Sequence, residues 1–210
     1  MTTDDGDPFT VVPLRDSQRS GAVVTLARAF QGDPGLAFLL PDELSRARAA
    51  LTIMASVLAD AAPFGEVWVA RAGAAIASVA AWLPPGAYPR GARRETIGVL
   101  RDLRSVPRIG RRMVAATRMY RAQDQAHAGI AQPHWYLAVI GSDPAWQRAG
   151  AGSSLLAPVL ERADREGLSS YLETENADNL AWYRHHGFEI IHELCPRGCP
   201  QMWAMRRDPR

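Results

Sequence analysis

Residues 134–166 combine a strand, a glycine-containing loop and a long helix, and this unit constrains the fold more than any other stretch. Residues 134–140 (His-Trp-Tyr-Leu-Ala-Val-Ile) are rich in β-branched and aromatic side chains, which favours a strand. After a loop at 141–149, apolar residues recur at helical spacing up to Glu166, and Gly167 is typical of a helix end. The chain must therefore fold with at least one helix packed on a sheet, which predicts the α/β or α+β class.

The loop before this helix has the chemistry of an anion site. The first N–H groups of a helix have no partner inside it, and they coincide with the positive end of the helix dipole. Two glycines let the backbone approach a ligand closely. These features suit a pyrophosphate, although the same Gly-x-Gly turn also occurs where a helix merely packs onto a sheet. The candidate residues are Gln147, Arg148, Ala149, Gly150, Ala151, Gly152 and Ser153.

Two common nucleotide sites do not fit this loop. A Walker loop needs Gly-Lys-Ser/Thr, which does not follow here, and the dinucleotide fingerprint needs a third spaced glycine. A nucleoside triphosphatase and an NAD enzyme are therefore poor interpretations.

The remaining chain adds six strands and further helices around this unit, and we expect one domain over residues 1–210. Residues 94–128 are the least regular part, because their helical pattern is interrupted at Pro107 and Gly110. Their composition fits two helices beside a site or a basic surface arm, and we expect the arm. The predicted strands are 9–15, 66–71, 74–83, 170–174, 188–194 and 202–206, and the predicted helices are 16–30, 43–61 and 179–186.

Charge and hydropathy exclude several classes of partner. The net charge of +2 lacks the basic excess of a nucleic-acid-binding protein. Residues 1–8 are polar, and no apolar run approaches the roughly 20 residues that span a bilayer, so we expect a cytoplasmic protein without a membrane contact. Cys195 and Cys199 lack the second ligand pair that structural zinc needs, so we expect no metal. A reduced pair is the favoured interpretation, with a disulfide as the alternative.

Two motifs resemble the GNAT superfamily of acyl-CoA N-acyltransferases. The Gln-x-x-Gly-x-Gly pattern after Asp143-Pro144 resembles motif A of the family, and Tyr183 followed by Gly187-Phe188 resembles its Tyr-x-x-x-Gly-Phe signature. Within the family, the segments 134–138 and 171–174 and the position of Asn179 are most similar to the puromycin N-acetyltransferase branch. The motif-bearing core covers about residues 134–207.

This resemblance implies a GNAT fold with a mixed, mostly antiparallel sheet of about seven strands flanked by helices. The strands at 134–140 and 170–174 would splay apart to admit pantetheine, and the backbone of Ile140, Gly141 and Ser142 would hold it. Amides from 147–153 would hold the pyrophosphate, and Asn176 and Asn179 are further candidates for contact with acetyl-CoA. The family usually has glycine and a basic residue where Arg148 and Ala149 stand, so Arg148 either reaches a phosphate or is solvated.

The resemblance also implies catalytic roles for two side chains. Tyr183 is the candidate acid for the leaving CoA thiolate, and Glu173 is the candidate base or ammonium counter-ion, with Glu175 and His134 as weaker rivals. Strand aromatics are more often core than acceptor site, so we interpret Trp68, Trp82, Trp135 and Tyr136 as core. We expect His185 and His186 on the exposed face of the last helix.

The leading hypothesis is an enzyme that transfers acetyl from acetyl-CoA to a primary amine of a small, aminonucleoside- or antibiotic-like molecule in a ternary complex, working as a monomer or homodimer. An antibiotic-resistance role would follow from such a substrate. The alternatives are a non-catalytic acyl-CoA-binding sensor on the same fold and a protein or peptide N-acetyltransferase.

Overall fold

The computed structural model describes residues 8–88 and 110–210. These residues form seven strands: β1 Thr10–Pro13, β2 Val67–Ala72, β3 Ala75–Leu83, β4 His134–Ser142, β5 Ser169–Thr174, β6 Glu189–Leu194 and β7 Met202–Arg207. The described ranges also contain six α-helices: α1 Arg19–Ala29, α2 Pro34–Leu39, α3 Glu43–Ala61, α4 Met113–Ala128, α5 Ala151–Glu166 and α6 Leu180–His185. All strands predicted from the sequence are present, with small shifts at their ends.

The strands form one sheet in the order β1-β2-β3-β4-β5-β7-β6, and only β4 and β5 run parallel. The parallel pairing is short: it runs from His134↔Ser169 to Tyr136↔Tyr171 and then stops. Beyond that point β4 continues along β3 to Ser142, while β5 continues along β7 to Thr174. The predicted mixed sheet with splayed central strands is therefore confirmed.

A bulge in β4 lies where the splay begins. Ala81 pairs with Val139 and Trp82 pairs with Leu137, so Ala138 is left without a partner in β3. An extra residue bends its strand and increases the local twist. The bulge therefore helps to turn β4 away from β5.

Separate apolar cores cover the two faces of the sheet. On one face α5 buries a row of side chains against β2 to β5 and β7, among them Leu155, Leu156 and Val159. On the other face α1 and α3 bury Leu26, Met54 and Leu58 against β2 and β3. Successive side chains of a strand point to opposite faces of the sheet. The same strands therefore contribute side chains to both cores.

Helix α4 packs on this second face, over β5 and β7, where Ala126 meets Tyr171 and Ala204. The expectation of a basic surface arm is therefore wrong for residues 113–128, whose helix covers the sheet. Residues 94–109 of that expectation, with the interruption at Pro107, lie outside the described residues.

The sequence also missed α2. The segment Gly32-Asp33-Pro34-Gly35 ends α1 as expected, but it starts a new helix at once. The Asp33 carboxylate accepts the Leu36 N–H at 2.8 Å, and Pro34 occupies the first turn. Asp as N-cap and Pro at the first position are both strong helix-start signals.

Helix α3 modifies the membrane expectation. Residues 43–64 form a helix that is long and apolar enough to cross a bilayer by length and composition alone. The expectation that no apolar run is long enough is therefore wrong by this criterion. In the fold, Met54 and Leu58 of α3 pack on the sheet, and Arg46 donates to the carbonyls of Gln31 and Leu40. Core helices meet the same criterion.

Candidate active site

The loop between β4 and α5 leads into the first turn of α5, where the backbone N–H groups of residues 151–153 form a cradle. Gly150 precedes α5 in the left-handed region at φ 94°, and Ser154 N–H donates to Gly150 O as the first bond of the helix. The N–H groups of residues 151–153 come before that bond, so they have no acceptor within the helix. This is the local geometry that binds phosphate groups.

Arg148 is strained within this loop. It is the only non-glycine residue of the described chain with a positive φ, at 62°. Its side chain is exposed, as are Ala149 and Gly150, while Gln147 donates weakly to Ser142 O at 3.5 Å. The strained backbone of Arg148 shapes the cradle, and its guanidinium is free to reach an anion.

Helix α6 supports the cradle from the side. Trp182 Nε1 donates to Ser153 Oγ at 3.3 Å, and His186 Nε2 lies 3.0 Å from the same oxygen. A Cβ on Gly152 would lie 3.2 Å from the Trp182 ring, so the glycine permits this close packing. His186 is half-buried against Ser153, so the expectation that it is exposed is wrong, whereas His185 is exposed.

The backbone of β4 faces the splay gap at only two of the three predicted positions. Asp143 N–H donates to Ala77 O across from it, and polar groups of successive strand residues alternate sides. Gly141 therefore turns its N–H and C=O toward β3, and its carbonyl also accepts from Ser78 Oγ at 3.0 Å. Its Cα packs on α1, where a Cβ would meet Ala29 at 2.8 Å. Ile140 and Ser142 retain backbone groups on the gap side, and Gly141 does not.

The two candidate asparagines differ in role. Asn176 Oδ1 accepts the Asp178 N–H at 3.0 Å and so caps the turn before α6. Asn179 is exposed and makes no side-chain cap. Capping thus explains Asn176, and a contact of either residue with acetyl-CoA stays a prediction.

Two side chains of β5 and one just beyond its end face α4 in succession, because residues two apart share a face of an extended chain. Tyr171 contacts Ala126, the Glu173 carboxylate lies 3.9 Å from His127 Nδ1, and Glu175 Oε1 accepts from Gln123 Nε2 at 2.7 Å. Two carboxyl groups therefore lie on this side of the chain, one near the end of β5 and one just beyond it.

Burial raises the pKa of Glu173 to about 7. Its side chain is 5% exposed, and the Tyr136 and Tyr171 hydroxyls that face it only partly offset the loss of hydration. The buried Tyr171 hydroxyl makes no hydrogen bond of normal geometry within the described residues, so it acts on Glu173 as a neighbouring dipole. A carboxyl with this pKa can hold or release a proton near neutral pH.

Glu175 forms a second acidic position with Asp33. Burial raises the pKa of Glu175 to about 7, with a further contribution from the Asp33 charge, and burial also raises the pKa of Asp33. The Cα of Gly35 lies against Glu175, since a Cβ there would be 2.9 Å from Glu175 Cγ. The start of α2, which the sequence missed, thus completes the site.

Tyr183 lies on the opposite face of the sheet from α4, in the core that α5 covers. Its ring packs in the α5 core beside Phe188, at a centroid distance of 6.0 Å. Its hydroxyl lies in the field of Glu175 and Asp33, and burial followed by these charges raises the pKa of the phenol. Tyr183 is therefore protonated throughout the neutral range, as an acid for a leaving thiolate requires.

Several site residues escaped the sequence analysis. Asp124 Oδ1 accepts a hydrogen bond from the Tyr88 hydroxyl, and the Tyr88 ring stacks on the His127 ring with their centroids 3.6 Å apart. Tyr136 packs against the core under α1 and α3 and also contacts His127, so its interpretation as core is confirmed. Trp82 and Trp135 are buried in the core as expected. The sequence held one signal for this cluster, because His134 and Tyr136 are two residues apart and therefore share a strand face.

The described ranges contain no group of three or more histidine, cysteine or acidic side chains arranged to hold a metal ion. Cys195 and Cys199 are free thiols, and Cys195 is exposed.

Known proteins match this chain in sequence and in fold. The acetyltransferase (GNAT) family matches residues 49–188. A probable serine/threonine-protein kinase from Dictyostelium discoideum is 28% identical over 80 residues, which are 37% of this chain and 11% of that protein. The chain thus spans about a tenth of the length of that relative.

Solved structures share the whole architecture. The structure of histone acetyltransferase HPA2 and related acetyltransferase from Corynebacterium glutamicum superposes with a TM-score of 0.70 at 22% identity, covering 96% of this chain and 97% of that one. Arylalkylamine N-acetyltransferase 2 from Aedes aegypti gives 0.58 at 12% identity, covering 96% and 99%. Naa20 from Chaetomium thermophilum, solved with a bisubstrate analogue, gives 0.55 at 13% identity, covering 95% and 86%. At these identities the likeness is one of fold.

Proposed function

The chain belongs to the GNAT family of acetyltransferases, and from this premise we propose that it transfers acetyl from acetyl-CoA to a primary amine of a small cationic molecule. One observation carries the proposal. The pairing of β4 and β5 stops at Tyr136↔Tyr171, and the resulting gap lies between the amide cradle and a set of buried carboxyl and phenol groups.

The donor side of the gap suits acetyl-CoA. The N–H groups of Ala151, Gly152 and Ser153 supply the positive end of α5 for the pyrophosphate. The backbone groups of Ile140 and Ser142 on the gap side suit the amides of the pantetheine arm, although Ser142 O also accepts weakly from Gln147 Nε2. Both requirements are met by main chain, so they depend on the fold more than on particular side chains.

The acceptor side suits an amine that arrives as an ammonium ion. The Glu173 carboxylate takes one proton from it, and the amine nitrogen then forms the C–N bond at the thioester carbonyl carbon. As the C–S bond breaks, the Tyr183 phenol protonates the thiolate, and the second proton lost by nitrogen restores the phenol. One ammonium and one acetyl-CoA thus give one amide, one CoA thiol and one proton.

The charges of the site favour a cationic acceptor. Asp33, Asp124, Glu173 and Glu175 carry the acidic groups of the cleft. A free carboxylate on the acceptor would be repelled there. An aminonucleoside or another xenobiotic amine fits this rule, as the similarity to the puromycin branch implies. A cytoplasmic location, a role in antibiotic resistance and a monomeric or dimeric state stay predictions.

The test is thiol release from acetyl-CoA with a panel of amines that includes puromycin, an arylalkylamine, a diamine and an N-terminal peptide. We expect release with a cationic small molecule, rising with pH through about 7 as Glu173 ionises. Absence of thiol release with every amine, together with absence of CoA binding by calorimetry, would overturn the proposal.

Variants separate an enzyme from a sensor. Glu173→Gln should remove the rise with pH and most of the activity while CoA binding persists. Glu189→Gln is the matched control, because Glu189 is exposed on β6. If Glu173→Gln and Tyr183→Phe both leave transfer unchanged, the roles assigned here are wrong. If CoA binds without any transfer, the non-catalytic sensor is the better interpretation.

A further inference from the structure

Two histidines outside the proposed chemistry form a pair beside Glu173, with His127 buried and His134 half-buried. His127 lies on α4 with its side chain 2% exposed, and His134 begins β4. Their Nε2 atoms are 2.8 Å apart. His134 Nδ1 lies 2.8 Å from the carbonyl oxygen of Gln132. The proposed reaction assigns neither ring a role.

The hydrogen-bond chain fixes the tautomer of each ring. A carbonyl oxygen only accepts, so the proton of neutral His134 is on Nδ1, and its Nε2 carries a lone pair. The short contact then requires a proton on His127 Nε2, which donates to His134. His127 Nδ1 is left with a lone pair, and this atom lies 3.9 Å from Glu173 Oε1.

Both rings are neutral in this setting. Burial lowers the pKa of His127 to about 3, with a smaller contribution from His134, and burial also lowers the pKa of His134. The contact of His127 with Glu173 is therefore not an ion pair at neutral pH. The titratable groups around the pair come from every element packed against it: Tyr88, Asp124, Tyr136, Tyr171, Glu173 and Arg206.

We propose that His127 and His134 form a tautomer lock that sets the basicity of Glu173. The Gln132 carbonyl orients His134, His134 orients His127, and His127 presents a lone pair rather than an N–H to the carboxyl group. A lone pair 3.9 Å away repels the carboxylate more than the neutral carboxylic acid, so the lock strengthens Glu173 as a base. Both histidines are positioning residues, and the proposal rests on the proposed function only through the role of Glu173.

The first experiment reads the tautomers without any substrate. Nitrogen-15 NMR of the imidazoles in the wild-type protein at pH 7 should show His134 protonated on Nδ1 and His127 protonated on Nε2. A proton on His127 Nδ1, or an imidazolium at either position, would overturn the lock. This arm does not depend on activity or on a variant that folds.

The second experiment titrates the Glu173 carboxyl carbon by carbon-13 NMR, with Glu173→Gln used to assign the signal. In His134→Phe, His127 is free to place its proton on Nδ1 and donate to the carboxylate. We expect the Glu173 pKa to fall by about one unit, a shift typical of a change in hydrogen bonding to a buried carboxyl. In His134→Gln the amide can donate to Gln132 O and accept from His127, so the pKa should be retained.

The matched control is His192→Gln, whose histidine is exposed on β6, and it should leave the titration unchanged. The acid limb of kcat/KM for thiol release should move with the NMR value in each variant. An unchanged or raised Glu173 pKa in folded His134→Phe would refute the lock. If the wild type acetylates no amine, the proposed function fails while the two NMR measurements still decide the lock.

Discussion

The pKa values of the side chains in this site are set by burial more than by close ion pairs. Tyr183 is 6% exposed, and its phenol lies in the field of Glu175 and Asp33, so ionisation to a phenolate is doubly disfavoured. The same two influences raise the pKa of Glu175. A protonated phenol and carboxyl groups with a pKa near neutrality are the complementary acid and base states that acyl transfer to an amine needs.

At this scale the sharpest test is Tyr183→Phe. The ring contacts with Phe188 and Trp182 remain, but the leaving thiolate loses its proton donor. We expect kcat to fall about 10²-fold or more, within the range for general acid catalysis. Steady-state kinetics and calorimetry with CoA make the measurement.

The Kd for CoA should be unchanged in Tyr183→Phe, because the cradle is main chain from another segment. A fall in CoA affinity with no fall in kcat would show that the hydroxyl binds the donor and protonates nothing.

Secondary-structure elements position the donor site through contacts between the start of α5 and α6. Ser153 Oγ accepts a hydrogen bond from Trp182 Nε1 and contacts His186. Gly152 leaves space for the Trp182 ring. Asp143 joins the preceding loop to α1, because its carboxylate accepts the Ala145 N–H and forms an ion pair with Arg28 at 2.9 Å. The cradle is therefore held from both sides, which keeps its N–H groups converged before a ligand arrives.

Gly152→Ala tests this arrangement. A Cβ at 3.2 Å from the indole would push Trp182 away and disturb its bond to Ser153. We expect CoA to bind about fivefold more weakly, equivalent to about 1 kcal/mol, as measured by calorimetry.

The control is Gly32→Ala, an exposed position where a Cβ meets nothing within 4 Å. It should leave CoA affinity unchanged. Equal affinities in the two variants would mean that the packing of α6 on the cradle does not shape the donor site.

The raised pKa values of Glu173 and Glu175 make the stability of the whole molecule depend on pH. The folded state keeps the protons of Glu173 and Glu175 up to about pH 7, whereas glutamate side chains in the unfolded chain lose them near pH 4.5. The folded state therefore binds more protons between these values, and stability falls as pH rises through that window. A shift of this size corresponds to about 3 kcal/mol for one group.

Glu175→Gln should remove one of these contributions. The amide can still meet Gln123, but it has no charge to desolvate. In urea unfolding, we expect the variant to match wild type at pH 5 and to be more stable by up to about 3 kcal/mol at pH 8.

Glu189→Gln serves as control and should show no such dependence on pH. If Glu175→Gln gains the same stability at both pH values, or loses stability at pH 8, the carboxyl of Glu175 is not held protonated by the fold.

The sequence by itself determined the elements and the donor loop. Hydrophobic period, glycine and proline punctuation and capping residues act over a few positions, so strands such as β4 and helices such as α5 are encoded locally. Glu173 and Tyr183 were proposed from their positions in the family motifs, and their roles stay predictions. The short helix α2 was missed although its Asp33-Pro34 signal was local, because the neighbouring glycines suggested only a helix end.

Only the tertiary structure decided which side chains meet. The meeting of His127 with His134 and Glu173 depends on how α4 packs over the short parallel pairing of β4 and β5. The direction of the Gly141 polar groups likewise depends on strand pairing, which turns them toward β3. Long-range packing and register set such contacts, and no local sequence pattern specifies them.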